Sequence, residues 1–317
     1  MSLVKIANKL PKLNGKVFKI AGHYPPLSPH SLRLKFKEGV TPTFTKGTST
    51  LVDVANNIWD FKSSTNNWYY LLFNQSDLLE VIDGNTSGVE SMGYLFYGCT
   101  SLTNICLLDT SNITNMTNMF RDCTSLTNVP LFNTSKVTDM TWMFRDCTSL
   151  TNVPLFDTSN VTNMNSMFEG CSSLNTVPLF DTHNVTSMTW MFKDCTSLTT
   201  VPLFNTSQVT NMNWMFGKCS LLTSVPLFDT HNVTNMNNML YNCTSLTTIP
   251  LFNTSKVTDM TYMCRNCYKV QTGALALYQQ ASTQTTPPSE HNQTFFQCGR
   301  DTQTGAAELS QIPSDWK

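Results

Sequence analysis

With 317 residues, the chain is long enough for one extended repeat domain with a modest cap at either end. Charged residues make up only 13 % of it and the net charge is −1, so no overall field selects nucleic acid. No stretch approaches the roughly 18 apolar residues that span a bilayer as a helix, which argues against membrane insertion.

Residues 1–29, with Pro11, Pro25, Pro26 and Pro29, read as an extended basic arm. Its lysines, Lys5, Lys9, Lys12, Lys16 and Lys19, break the apolar run that a secretory signal needs, so export by the usual route is not expected. Residues 1–50 hold nine basic side chains against Glu38 alone, which suits either an acidic partner or simple solvation. Residues 30–77 form a candidate N-terminal cap. Ser31-Leu32-Arg33-Leu34-Lys35-Phe36 alternates like a strand with Leu32, Leu34 and Phe36 inward, while 52–61 and 68–73 read as short helices.

From 78 to 268 the chain repeats. Cys99, Cys123, Cys147, Cys171, Cys195, Cys219, Cys243 and Cys267 fall 24 residues apart without a gap. A constant period of this length is the signature of a solenoid. In one unit, Val129 and Leu131 alternate as on a strand, Asn133-Thr134-Ser135 is turn chemistry, and Val137, Met140, Met143 and Phe144 are spaced as on a helical turn. The expected fold is therefore α/β: a solenoid of about eight regular rungs, with short parallel strands and short helical turns. Stacked strands sit ~4.8 Å apart and helices need about twice that, so the helical side should splay. Proline recurs at Pro130, Pro154, Pro178, Pro202, Pro226 and Pro250, and it cannot donate to a ladder, so the strands should be short or interrupted there.

Residues 269–317 form the candidate C-terminal cap. It has a helix around 273–280, a Met-Phe-x-x-Cys echo in Phe295-Phe296-Gln297-Cys298, and a Leu-x-x-Val-Pro echo in Leu309-Ser310-Gln311-Ile312-Pro313. Together these echoes suggest a degenerate closing rung.

The chemistry-bearing residues point away from catalysis. One cysteine per coil is not the paired spacing of a zinc site, and buried free thiols are the simplest reading. His183 and His231 lie two coils apart, roughly 10 Å. No nucleophile set, phosphate loop or carboxylate pair emerges, so no enzyme activity, cofactor or metal is expected. The informative column lies between the two methionines, where Tyr94, Trp142, Trp190, Trp214 and Tyr262 alternate with Asn118, Ser166 and Asn238. Aromatics there either cover a neighbouring methionine or present a face to a sugar or protein.

Asn160-Val161-Thr162-Asn163-Met164-Asn165-Ser166-Met167-Phe168-Glu169-Gly170-Cys171 resembles the BspA-like leucine-rich repeats of bacterial and protist surface proteins, and the resemblance covers residues 78–268. It implies a leucine-rich-repeat fold and a non-catalytic role in adhesion or recognition. The Pro25-Pro26-Leu27-Ser28-Pro29 lead-in and the Ile312-Pro313-Ser314-Asp315-Trp316-Lys317 ending are similar to those of gut-bacterial phage products. That likeness implies a virion-surface protein docked to other virion proteins by the five lysines and contacting a host glycan or protein. The alternatives are a bacterial cell-surface adhesin and a structural spacer. A homo-oligomer is compatible with each.

Overall fold

The computed structural model describes residues 24–44 and 46–317, together with the backbone of β1 (Lys12–Leu13) and β2 (Lys16–Val17), which pair antiparallel. Lys5, Lys9 and Lys19 lie outside the described residues, as do the side chains of Lys12 and Lys16.

The N-terminal cap is a sheet. β3 (Ser31–Phe36) pairs antiparallel with β5 (Ile58–Lys62) on one side and β6 (Leu78–Asn85) on the other. β4 (Thr48–Asp53) closes one edge and β7 (Asn104–Ile105) joins β6 in parallel at the other. Leu32, Leu34 and Phe36 are buried as their alternation predicts. The helix expected over 52–61 is instead the second half of a hairpin. Its turn passes through Asn57 at φ 50°, and the chain returns as β5, in which Ile58 and Phe61 are both buried.

β6 and β7 are where the cap becomes the stack. β7 exists in the rung that carries Cys106 at the proline position, and the Cys106 N–H donates to Val81 O at 2.9 Å. In later rungs Pro130 and its equivalents have no N–H to give, and the strand ends. The chain there turns tightly: the Phe180 N–H bonds Pro178 O at 3.0 Å, and Phe204 bonds Pro202 alike. Such a three-residue turn throws its middle residue outward. The alternation of Val129 with Leu131 therefore misleads. Val129 and Phe132 are buried, while Leu131 is 59 % exposed.

The expected helical turn is also absent. Met140-Thr141-Trp142-Met143 and Phe144-Arg145-Asp146-Cys147 are two successive β-turns, closed by Met143 N–H to Met140 O and Cys147 N–H to Phe144 O. Each has positive φ at its third residue, 59° at both Trp142 and Asp146. Alternate amides reach the next coil: Trp142 to Asn165 O, Phe144 to Met167 O and Asp146 to Glu169 O, all within 3.0 Å. Met140, Met143, Phe144 and Cys147 still share one buried face, because a turn pair and a helix place i and i+3 alike.

This paired-turn segment is the parallel spine of the molecule. Isolated parallel bridges run along it from Asn67 through Ser91, Asn115, Asp139 and Asn163 to Asp259 and Glu290. Segment 68–73 is thus an opening pair of turns, not a helix; Trp68 and Tyr70 donate to Ser91 O and Gly93 O. Phe rings stack along the spine at 5.5–5.7 Å from Phe120 to Phe216, whereas Phe132 and Phe156 on the proline side are 6.5 Å apart. The side expected to splay is the tightly bonded one. At the third corner Thr134 is buried, and its Oγ1 donates to Asp157 O of the next coil at 2.7 Å, while Asn133 Oδ1 accepts the Ser135 N–H. Each ladder thiol donates to a carbonyl of the preceding coil, Cys147 Sγ to Phe120 O at 3.0 Å.

At the far end Cys264 and Asn266 donate to Thr294 O and Phe296 O, so 290–298 adds one more pair of turns. α1 (Ala274–Thr283) and α2 (Gln303–Gln311) cover the end, and Trp316 stacks on His291 with ring centroids 4.3 Å apart. The Leu309 to Pro313 echo of the repeat is therefore a helix end, although Ile312 is buried.

Candidate functional site

Two left-handed columns run the length of the spine, four residues apart, and they are filled differently. The second column holds Gly98, Asp122, Asp146, Gly170, Asp194, Lys218, Asn242 and Asn266, mostly residues that tolerate positive φ. The first holds Tyr94, Asn118, Trp142, Ser166, Trp190, Trp214, Asn238 and Tyr262, at φ 54–59°. Five of these eight are bulky aromatics in a conformation that favours Gly and Asn.

The structure places the predicted aromatics in four groups along one face. Trp190 and Trp214 sit on adjacent coils and share Lys193, whose Nζ lies 5.4 and 5.6 Å from their ring centroids. Trp142 shares the Arg121 guanidinium with Tyr97, and Tyr262 carries that of Arg265 at 5.1 Å. Tyr94 packs on Tyr70 at 4.4 Å and on Tyr69 at 5.0 Å. Trp190 is the most exposed, at 36 %, and its Nε1 donates to Asn213 Oδ1; the other four are half-buried. Between Trp214 and Tyr262 the small Asn238 leaves a cleft of about 350 Å³, whose remaining walls are Tyr241 and Arg265.

Tyr69, Tyr70 and Phe73 join this face and were not singled out from the sequence. The signal was present, since Tyr70 and Phe73 lie one period before Tyr94 and Tyr97. Burial, then the Tyr94 and Tyr70 hydroxyls, push the Tyr69 phenol up to about 12.

An ion-pair chain underlies the aromatics. Glu169, with 4 % of its side chain exposed, accepts a hydrogen bond from Lys193 at 3.0 Å and forms an ion pair with Arg145 at 3.4 Å, and Asp194 links Lys193 to Lys218. Burial opposes charge on Lys193, but the hydrogen bonds of Glu169 and Asp194 outweigh it and hold the ammonium above its ordinary value. Burial pushes the Asp146 carboxyl up, with Arg145 opposing. Such a network fixes the long basic side chains against the rings they cover. No group of three or more His, Cys, Asp or Glu among the described residues is placed to hold a metal ion. No helix among them is long and apolar enough to cross a membrane.

Parallel coils on one continuous core, each donating to the next, define a repeat solenoid of the leucine-rich-repeat kind. The chain belongs to the family described as "Mycoplasma protein of unknown function, DUF285", whose profile matches residues 69–178 and 175–277. No curated protein matches it in sequence. Among solved structures it is similar to a leucine-rich repeat protein from Eubacterium ventriosum, at 16 % identity over 69 % of this chain and 67 % of that one, TM-score 0.39. It is also similar to the functional domain of InlJ from Listeria monocytogenes, which includes a cysteine ladder, at 14 % identity over 62 % of this chain and 48 % of that one, TM-score 0.27. A third likeness is to TLR13 in its ssRNA13 complex, at 13 % identity over 71 % of this chain and 34 % of that one, TM-score 0.33.

Proposed function

We propose that the protein is a non-catalytic recognition or adhesion protein whose ligand face is the aromatic column of Tyr94, Trp142, Trp190, Trp214 and Tyr262. The observation that carries this reading is the backbone at these positions. Holding a bulky L-residue in left-handed space costs on the order of 1–3 kcal/mol, and such strain concentrates at functional sites. Asn118 and Asn238 occupy the same column without that strain, so the fold does not demand aromatics there. Indole and phenol faces flanked by Asn, Arg and Lys suit the apolar face and hydroxyls of a sugar ring. On a glycan array, binding by the intact chain should fall at least tenfold in the Trp142→Ala/Trp190→Ala/Trp214→Ala variant, with its circular dichroism retained. Equal binding by both proteins would remove the aromatic face from the account.

The finer part of the proposal puts the chain on a phage virion, docked through Lys5, Lys9, Lys12, Lys16 and Lys19 to another virion protein. Its support is the likeness of the lead-in and ending to gut-phage products; a bacterial cell surface is the alternative location. A truncation that tests this must stop before Tyr24, because Leu32 and Leu34 of β3 are buried in the cap. Deleting residues 1–23 should leave a folded solenoid that no longer co-sediments with purified particles. Undiminished co-sedimentation would reject docking by the arm.

A further inference from the structure

The Pro-Leu-Phe turn leaves a second surface that the aromatic face does not use. Leu107, Leu131, Leu155, Leu179, Leu203, Leu227 and Leu251 occupy one column on seven successive coils, each between 52 and 67 % exposed. The turn that buries Phe180 by bonding it to Pro178 O is what sends Leu179 out, and Phe204, Phe228 and Phe252 repeat the bond. Seven leucines so exposed present on the order of 800 Å² of surface. That exceeds the few hundred Å² that a soluble monomer carries in one apolar patch. It is also about what each partner buries in an interface of standard size.

The charges beside the stripe select the occupant. One flank is uncharged, with Thr127, Asn128, Thr151 and Asn152 exposed along it. The other carries Asp109, Asp157, Asp181 and Asp229 together with Lys136 and Lys256. Lys136 and Lys256 are exposed, and among the described residues each bonds an asparagine, Asn112 and Asn232, and neither meets a carboxylate. The carboxyls of Asp109 and Asp229 are held below their usual range by hydrogen bonds from Ser111 and His231, so they are ionised at neutral pH.

We propose that the leucine stripe is the interface of a two-fold dimer in which a second copy of this chain lies antiparallel, face to face, about an axis through Leu179. Reversing the stack about its central leucine sets Leu107 against Leu251, Leu131 against Leu227 and Leu155 against Leu203. The charged flanks then meet each other, with Lys136 opposite Asp229 and Lys256 opposite Asp109, each pair occurring twice. Asp157 faces the uncharged Asn205 and Gln208, and Asp181 meets its own copy across the axis, so four attractive pairs outweigh one repulsive one. A parallel dimer would set the charged flank against the uncharged one and leave all six charges unmatched. Isologous contacts of this kind close on themselves and leave the rest of the surface free.

Multi-angle light scattering on the full chain at 50 µM should give twice the chain mass. Leu155→Asp/Leu203→Asp should give the single-chain mass with unchanged circular dichroism, since both side chains already face solvent. Lys136→Glu should weaken the dimer at least tenfold, and Lys136→Glu/Asp229→Lys should restore it. A monomeric wild type overturns the proposal, as does a dimer untouched by the leucine changes. Failure of the charge swap to restore the dimer overturns the antiparallel register. A wild-type monomer that dimerises once residues 1–23 are removed would instead assign the stripe to the arm.

Discussion

Raising the pH from 7.5 to 9.5 in the presence of a phosphine reductant should unfold this protein at room temperature. Of its eleven cysteines, all but Cys106 are buried. Burial pushes the thiols of Cys99 and Cys267 up to about 12 and raises those of Cys123, Cys147, Cys195 and Cys243 as well. In the unfolded chain a thiol titrates near 8.5. The folded value lies above the unfolded one, so the proton is held more tightly in the native state. This stabilisation is fully present below about pH 8 and is lost as the pH climbs from there toward the folded values. Each thiol then costs about 1.4 kcal/mol per pH unit. Across the ladder, the loss by pH 9.5 is on the order of 10 kcal/mol, comparable to the whole stability of an ordinary domain. Denaturation midpoints recorded at half-unit steps should stay flat to pH 8 and then fall steeply. Replacing Cys147, Cys171 and Cys195 by alanine should make the fall shallower. At pH 8 a chromogenic disulfide should modify only Cys106 in the native protein, slowly, because burial and then Asp83 push that thiol up to about 11. A midpoint that is constant to pH 9.5 would show that the unfolded chain does not ionise its thiols as assumed.

The parts of the fold that were legible in the sequence are those where chemistry and side-chain direction agree. The Cys, Met and Phe columns are buried because identical apolar residues recurring on successive coils have one place to go. β3 was equally plain, since Leu32, Leu34 and Phe36 alternate with polar residues. Leu131 was not, because its neighbours Val129 and Phe132 are apolar too, and hydrophobicity alone cannot say which of three turns outward. The hydrogen bond across Pro-Leu-Phe decides it, and a proline acceptor two residues before its donor leaves no hydropathy signal. The Met-x-x-Met-Phe segment reads as helical because paired β-turns share the helix's three-and-four spacing. The discriminating signal lay in the second left-handed column, where Asp122, Asp146, Asp194, Asn242 and two glycines recur at a position that a helix would not reserve for them. The aromatic column was singled out by its variability within a fixed frame, but its left-handed backbone was invisible until the turns were placed. Trp68 to Phe73 shows the same limit at the cap: its lack of Met and Cys hid a register that Tyr70 and Phe73 keep.

Phe168→Ala should split the solenoid into two independently unfolding halves. Phe168 is fully buried between Phe144 and Phe192, each ring centroid 5.7 Å away, and it meets Phe180 at 6.1 Å. Its carbonyl accepts the Cys195 thiol and its amide donates to Met191 O, both at 3.0 Å. Removing such a ring costs about 3–5 kcal/mol, part of it for the cavity left behind. In a compact domain that loss would lower one cooperative transition. Here each coil touches only its neighbours, so cooperativity depends on interface energy passed from rung to rung. A deficit of this size at the middle coil exceeds what couples the two sides, while each side keeps its own cap, the β3–β6 sheet or α1 and α2. Urea unfolding followed by circular dichroism should change from one transition to two, the apparent slope of each being smaller than that of the wild type. Phe168→Leu should not do this, since Leu240 already fills the same column and is fully buried there; its expected cost is about 1 kcal/mol within a single transition. If Phe168→Ala merely shifts a single transition of unchanged slope, the coils are coupled mainly through the backbone ladder at Trp142, Phe144 and Asp146 and their equivalents. The ring column would then contribute to stability without setting the cooperative unit.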